Sequence, residues 1–89
     1  MSVAQLFGAN LAHCRNAAGL SQEEVGIRAN LHRTEISQLE RGGRCARIDT
    51  LVKLAGALGI TPSELLAGIE WRPAEIQPGA FHIPEEAGP

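Results

Sequence analysis

At 89 residues, with Phe7, Trp71 and Phe81 as its only aromatics, the chain has room for one small domain whose core must come from aliphatic side chains and alanine, which favours helices. Two cysteines 31 residues apart exclude a disulfide framework and a structural zinc site; with no signal peptide and no apolar run near the ~20 residues of a membrane span, a soluble protein of a reducing cytoplasm is expected. The net charge of −2 does not exclude a nucleic-acid partner, because five arginines between Arg28 and Arg47 against Glu35 and Glu40 give a local +3, leaving −5 for the rest.

The first predicted helix spans residues 3 to 18, where Val3, Phe7, Leu11, Cys14 and Ala18 form an apolar stripe of helical period. Gly19 ends it. Ser21 and Glu24 then form a capping box that starts the second helix. Gly26 sits where two helices must touch, and Asn30 where the backbone must turn through positive φ, a conformation Asn tolerates better than other non-glycine residues. Val25, Ala29, Leu31, Ile36 and Leu39 give each of two short helices one apolar seam with the turn between them. The polar side chains Arg33, Thr34, Ser37, Gln38 and Arg41 are left on the opposite face, which is what reading base edges in a DNA groove requires.

After Arg41, GGRCAR reads as a loop. The fourth helix begins near Asp49 or Thr50, with Ile48, Leu51, Leu54, Ala55 and Leu58 as its stripe, and Gly59 stops it. Thr61, Pro62 and Glu64 start a fifth helix expected to reach about Gly68. From Glu70 onward the prolines exclude a regular helix. That tail still carries Trp71, Ile76, Phe81 and Ile83, and Phe81-His82-Ile83 reads either as a short strand or packing segment or as a frayed terminus. The expected division is a DNA-binding domain over 1–69 and a tail or dimerisation arm over 70–89.

From Phe7 to Leu66 the chain resembles the Cro and phage-repressor type of helix-turn-helix domain, often called the XRE family. The resemblance rests on GLSQEEV at 19–25, NLHRTEISQLERG at 30–42 and IDTLVKLAGALGITPSELL at 48–66. It implies an all-α, compact five-helix domain whose third helix, about 32–41, lies in the major groove, usually within a homodimer on a palindromic operator. The family's base-reading positions fall on Arg33, Thr34 and Gln38, with Glu35 and Ser37 able to contribute. Gln22 matches a phosphate-contacting position, and its place at a helix N-terminus suits an anion as well. Arg15 and Glu40 match a structural pair that links the first helix to the third. The chain departs from the family at Asn30, where glycine is usual, at Gly26, where alanine is usual, and in the loop GGRCARID.

Arg33 at the start of the exposed face can grip guanine with two hydrogen bonds, Thr34 can meet a thymine methyl, and Gln38 can bond adenine. Glu35 can accept from cytosine or orient Arg33. Arg41, Arg44 and Arg47 suit the phosphate backbone, a solubilising cluster being the plainer alternative. His32 at the cap of the third helix suits phosphate contact or capping. His13, His32 and His82 share no metal-binding spacing, no cofactor motif is present, and no nucleophile, base and orienting group form a catalytic set. A sequence-specific transcriptional regulator is therefore expected, a homodimeric repressor in its simplest form, with helix five and the tail (Leu65, Leu66, Ile69, Trp71, Phe81, Ile83) as the interface. The competing expectation is an antitoxin or protein-interaction module whose tail holds a partner protein.

Overall fold

The computed structural model describes residues 1–74 and 79–83. Five helices occur among them: α1 (Val3–Ala17), α2 (Gln22–Ala29), α3 (Arg33–Glu40), α4 (Ile48–Leu58) and α5 (Pro62–Leu65). Two strands follow, β1 (Glu70–Arg72) and β2 (Ala80–His82).

The helix ends follow from local hydrogen bonding. Ser21 Oγ accepts from the Glu24 N–H at 3.0 Å and the Glu24 carboxylate accepts from the Ser21 N–H at 3.0 Å, so α2 starts with both halves of its capping box made. Ser2 and Gln5 do the same for α1 at 3.1 and 2.8 Å, a start the chain pattern did not announce. Asn30 closes α2 at φ 57°, ψ 46°, and Gly59 closes α4 at φ 69°. Thr61 and Pro62 open α5, with the Glu64 carboxylate accepting from the Thr61 N–H at 3.0 Å. That helix ends at Leu65, short of the expected Gly68. Beyond it the amides of Leu66 and Ala67 reach back only three residues, to Ser63 and Glu64. The Asn10 side chain of α1 instead donates to the Leu65 and Ala67 carbonyls at 3.0 and 2.9 Å.

Leu11, Val25, Ile36, Leu39, Leu54 and Leu65 are fully buried and join all five helices in one core. α1 packs on α3 and α5, α2 on α3 and α4, and α4 on α5. The closest approach is at Gly8, where a β-carbon would collide with the Leu39 and Glu40 carbonyls. Gly26 plays the same part in the turn, since a β-carbon there would lie 2.7 Å from the Leu31 carbonyl. Cys14 is half-buried against the core.

Three further expectations, on Ile48, Ala18 and Leu65, need correction. Ile48 does not join the α4 stripe; it is 80% exposed, because the first residue of the helix lies before α4 meets the body. Ala18, the last residue of the α1 stripe, is exposed past the helix end. Leu65 is fully buried and so cannot form an interface. The all-α body also carries an antiparallel ribbon that pairs Glu70 with His82, Trp71 with Phe81 and Arg72 with Ala80. Trp71 and Phe81 meet edge to face with ring centroids 5.3 Å apart. Thus Phe81 and His82 take the strand alternative, while Ile76 lies outside the described residues.

Candidate nucleic-acid interface

The orientation of α3 is fixed from below. Ile36 and Leu39 are fully buried, and with that side pinned the helix turns Arg33, Thr34 and Gln38 to solvent and leaves Ser37 half-buried at the margin. Arg41 follows directly as the C-cap and donates to the Ser37 hydroxyl. At the other end the Glu35 carboxylate accepts from the His32 N–H at 3.3 Å, while the His32 imidazole makes no capping bond. These side chains form one polar face on an otherwise packed helix.

A chain of polar contacts ties this face to the rest of the domain. Arg15 Nε donates to Glu40 Oε2 at 2.6 Å and Arg15 Nη2 to Glu40 Oε1 at 3.0 Å, a two-pronged pair with side chains only 15% and 8% exposed. A third bond runs from Arg15 Nη1 to the Leu20 carbonyl at 2.9 Å. The Glu40 hydrogen bond raises the Arg15 pKa, so the guanidinium keeps its charge at every accessible pH. Glu40 Oε1 also accepts from Gln22 Nε2 at 3.1 Å, and Gln22 Oε1 accepts from Arg33 Nη1 at 3.5 Å. Gln22, the first residue of α2, therefore bridges this partly buried pair and the exposed Arg33.

The loop arginines are held more loosely. Arg44 donates to Glu35 at 3.1 Å, with side chains 51% and 32% exposed, and Arg47 lies 3.5 Å from Asp49 in fuller solvent. Exposed pairs of this kind are screened and contribute little, so a phosphate can replace either carboxylate. Arg28 serves the fold instead, its guanidinium donating to the Ala57 carbonyl at 3.5 Å near the end of α4. One of the five clustered arginines is thus engaged in closing α2 on α4. Burial, and next the Glu64 charge, push the Cys14 thiol pKa up, which keeps that side chain a protonated core residue. Cys45 is exposed in the loop.

Sequence reasoning placed Arg33, Thr34, Ser37, Gln38 and Arg41 on one face, of which Ser37 is half-buried. It did not foresee that Glu35 is engaged by both the helix cap and Arg44, or that Gln22 couples to Glu40. Neither contact leaves a periodic trace in the chain.

A family model described as helix-turn-helix matches residues 11–65, from the middle of α1 to the end of α5, with the turn at Asn30 and the exposed face of α3 inside it. The chain belongs to this helix-turn-helix family, of the XRE type. A helix-turn-helix-type transcriptional regulator of Sinorhizobium fredii, y4dJ, itself uncharacterised, is 40% identical over 73 residues, which is 82% of this chain and 95% of that protein. The control protein C.BamHI of Bacillus amyloliquefaciens is 40% identical over 62 residues, covering 68% of this chain and 76% of its own. Among solved structures, the restriction-modification controller protein C.AhdI from Aeromonas hydrophila superposes with a TM-score of 0.68 at 40% identity, over 70% of this chain and 94% of that one. The family match ends at Leu65, so β1 and β2 lie outside it.

Proposed function

We propose that the protein is a sequence-specific DNA-binding transcriptional regulator that reads a palindromic operator through the major groove, one α3 per half-site of a homodimer. The observation that carries this reading is the solvent-facing row of Arg33, Thr34 and Gln38 on a helix whose opposite side is pinned by Ile36 and Leu39. In this reading Arg33 takes a guanine edge, Thr34 a thymine methyl and Gln38 an adenine, with Ser37 and Glu35 at the margin. Arg41, Arg44 and Arg47 hold the phosphate backbone on one side of the helix. On the other side, Gln22 and His32 do the same. Gln22 stands at the N-terminus of α2, where free backbone amides and the helix dipole favour an anion. The similarity to control proteins of restriction–modification systems supports a regulator of that controller type.

Selection of bound duplexes from a random pool tests the proposal. A two-fold symmetric motif should enrich, and affinity for it should fall steeply as salt rises. A pool that stays random after repeated rounds overturns it.

A further inference from the structure

α4 carries two apolar rows where a surface helix of a small domain carries one. Leu54, Ala55 and Leu58 face the core, while Ile48, Val52 and Gly56 recur at every fourth position on the outer side, with Ile48 80% and Val52 56% exposed. Nothing in the fold accounts for Gly56. A β-carbon added there would meet no atom within 4 Å, so this glycine gives up helix propensity inside α4 without easing any contact within the chain. Beside the outer row, the end of α2 and the side of α4 enclose an open hollow of about 520 Å³, with Ala29 and Ala57 buried beneath it, Val52 and Gly56 along one wall, and the exposed cations Arg28 and Lys53 among its lining. A second hollow shares Asn30 with the first and continues the trough to Ile27, which is 75% exposed. Among the described residues Lys53 takes part in no ion pair, and the Arg28 guanidinium bonds only to the Ala57 carbonyl.

We propose that this trough is a docking site for an amphipathic α-helix of another protein, one whose apolar seam is flanked by aspartate or glutamate. Shape selects a helix. Both walls are helices whose main-chain groups are bonded within themselves, so the trough offers no strand edge, and the side-chain ridge of a third helix fits the groove between two packed ones. Gly56, with no side chain, lets that helix come close to α4. Charge selects its acidic flanks, because the larger hollow is lined by two cations and no carboxylate. The same charges disfavour a second copy of this chain, whose matching face brings the same two cations and no acidic complement. The larger hollow includes no residue of α3, so this proposal stands or falls apart from the reading of DNA and from the homodimer.

A displayed library of amphipathic helices, randomised along the seam and its flanks and selected on the full chain, tests this. Helices with apolar residues at every third or fourth position and acidic flanks should enrich, and a synthetic copy of an enriched helix should bind with a dissociation constant of roughly micromolar. Lys53→Glu should weaken that peptide about tenfold, and changing the facing acidic residue of the peptide to lysine should restore binding. Gly56→Gln should weaken it by about tenfold or more. The same variant should raise the thermal midpoint followed by circular dichroism, because α4 gains propensity and the new side chain enters open space, so lost binding is not lost folding. A library that enriches nothing, or enriches neutral or basic helices, overturns the proposal. So does a peptide that binds Gly56→Gln as tightly as wild type. Self-association of the chain that Gly56→Gln abolishes would assign the face to a second copy and overturn it as well.

Discussion

At the scale of single residues, the mostly buried pair of Arg15 and Glu40 carries more than its own contact, since Gln22 and, through it, Arg33 hang on the same carboxylate. Removing one partner leaves the other charge without compensation in a mostly buried place. Glu40→Ala should therefore lower stability by about 3 kcal/mol, read by urea denaturation, whereas replacing both residues with apolar ones of similar size should be nearly neutral. Gly8 makes a second case. Alanine there raises helix propensity by about 1 kcal/mol, but its β-carbon runs into two backbone carbonyls of α3 that cannot rotate away. Gly8→Ala should accordingly destabilise by about 2 kcal/mol in the same measurement. The glycine gave no signal in the chain, because a close approach between α1 and α3 depends on where the core sets the two axes. Asn30 was legible for the opposite reason: the need for positive φ is local to the turn it ends.

At the scale of elements, the helix ends that could be read were those with a capping or closing residue written beside them. Ser21 with Glu24, Thr61 with Pro62, and the closing residues Asn30 and Gly59 all lie within a few residues of the backbone groups they satisfy. The Glu24 carboxyl pKa is lowered, first by the hydrogen bond from the Ser21 amide and then by its hydroxyl. A group whose folded pKa is depressed adds stability above its unfolded value and loses it as pH falls through the folded one. The α2 start should therefore weaken on acidification through the carboxylate range. Glu24→Gln should reduce that acid dependence, as followed by thermal melts at stepped pH. Ile48 shows the limit of such reading: helical spacing placed it on a stripe, but only the packing of α4 decides which turns of the stripe meet the body. The ribbon shows another limit, since β1 and β2 pair across an intervening proline-containing segment and neither has an alternating pattern long enough to announce itself.

At the scale of the whole molecule, charge is divided between a basic region around α3 and its loop and an acidic remainder. A protein arranged in this way should bind DNA with a marked salt dependence while keeping weak affinity for random duplex. Arg44→Ala should weaken binding to all sequences alike and reduce the slope of affinity against salt, on logarithmic axes, by about one. Its exposed partner Glu35 does not offset a phosphate contact. Most of the candidate face was legible in the chain because it is the complement of a buried seam: once Ile36 and Leu39 are inward, Arg33, Thr34 and Gln38 have only one direction left. The contacts that pre-orient it, through Gln22 and Glu40, come from residues brought together by the fold.

In the proposed function this face reads bases, with Arg33 as its first contact. Its most direct test compares the base preferences of wild type and Arg33→Ala, position by position, against single substitutions of the enriched operator. Loss of discrimination at one base pair per half-site, worth about 1–3 kcal/mol there and with the other positions unchanged, is the predicted result. An unchanged profile, or a uniform loss across every sequence, would contradict it.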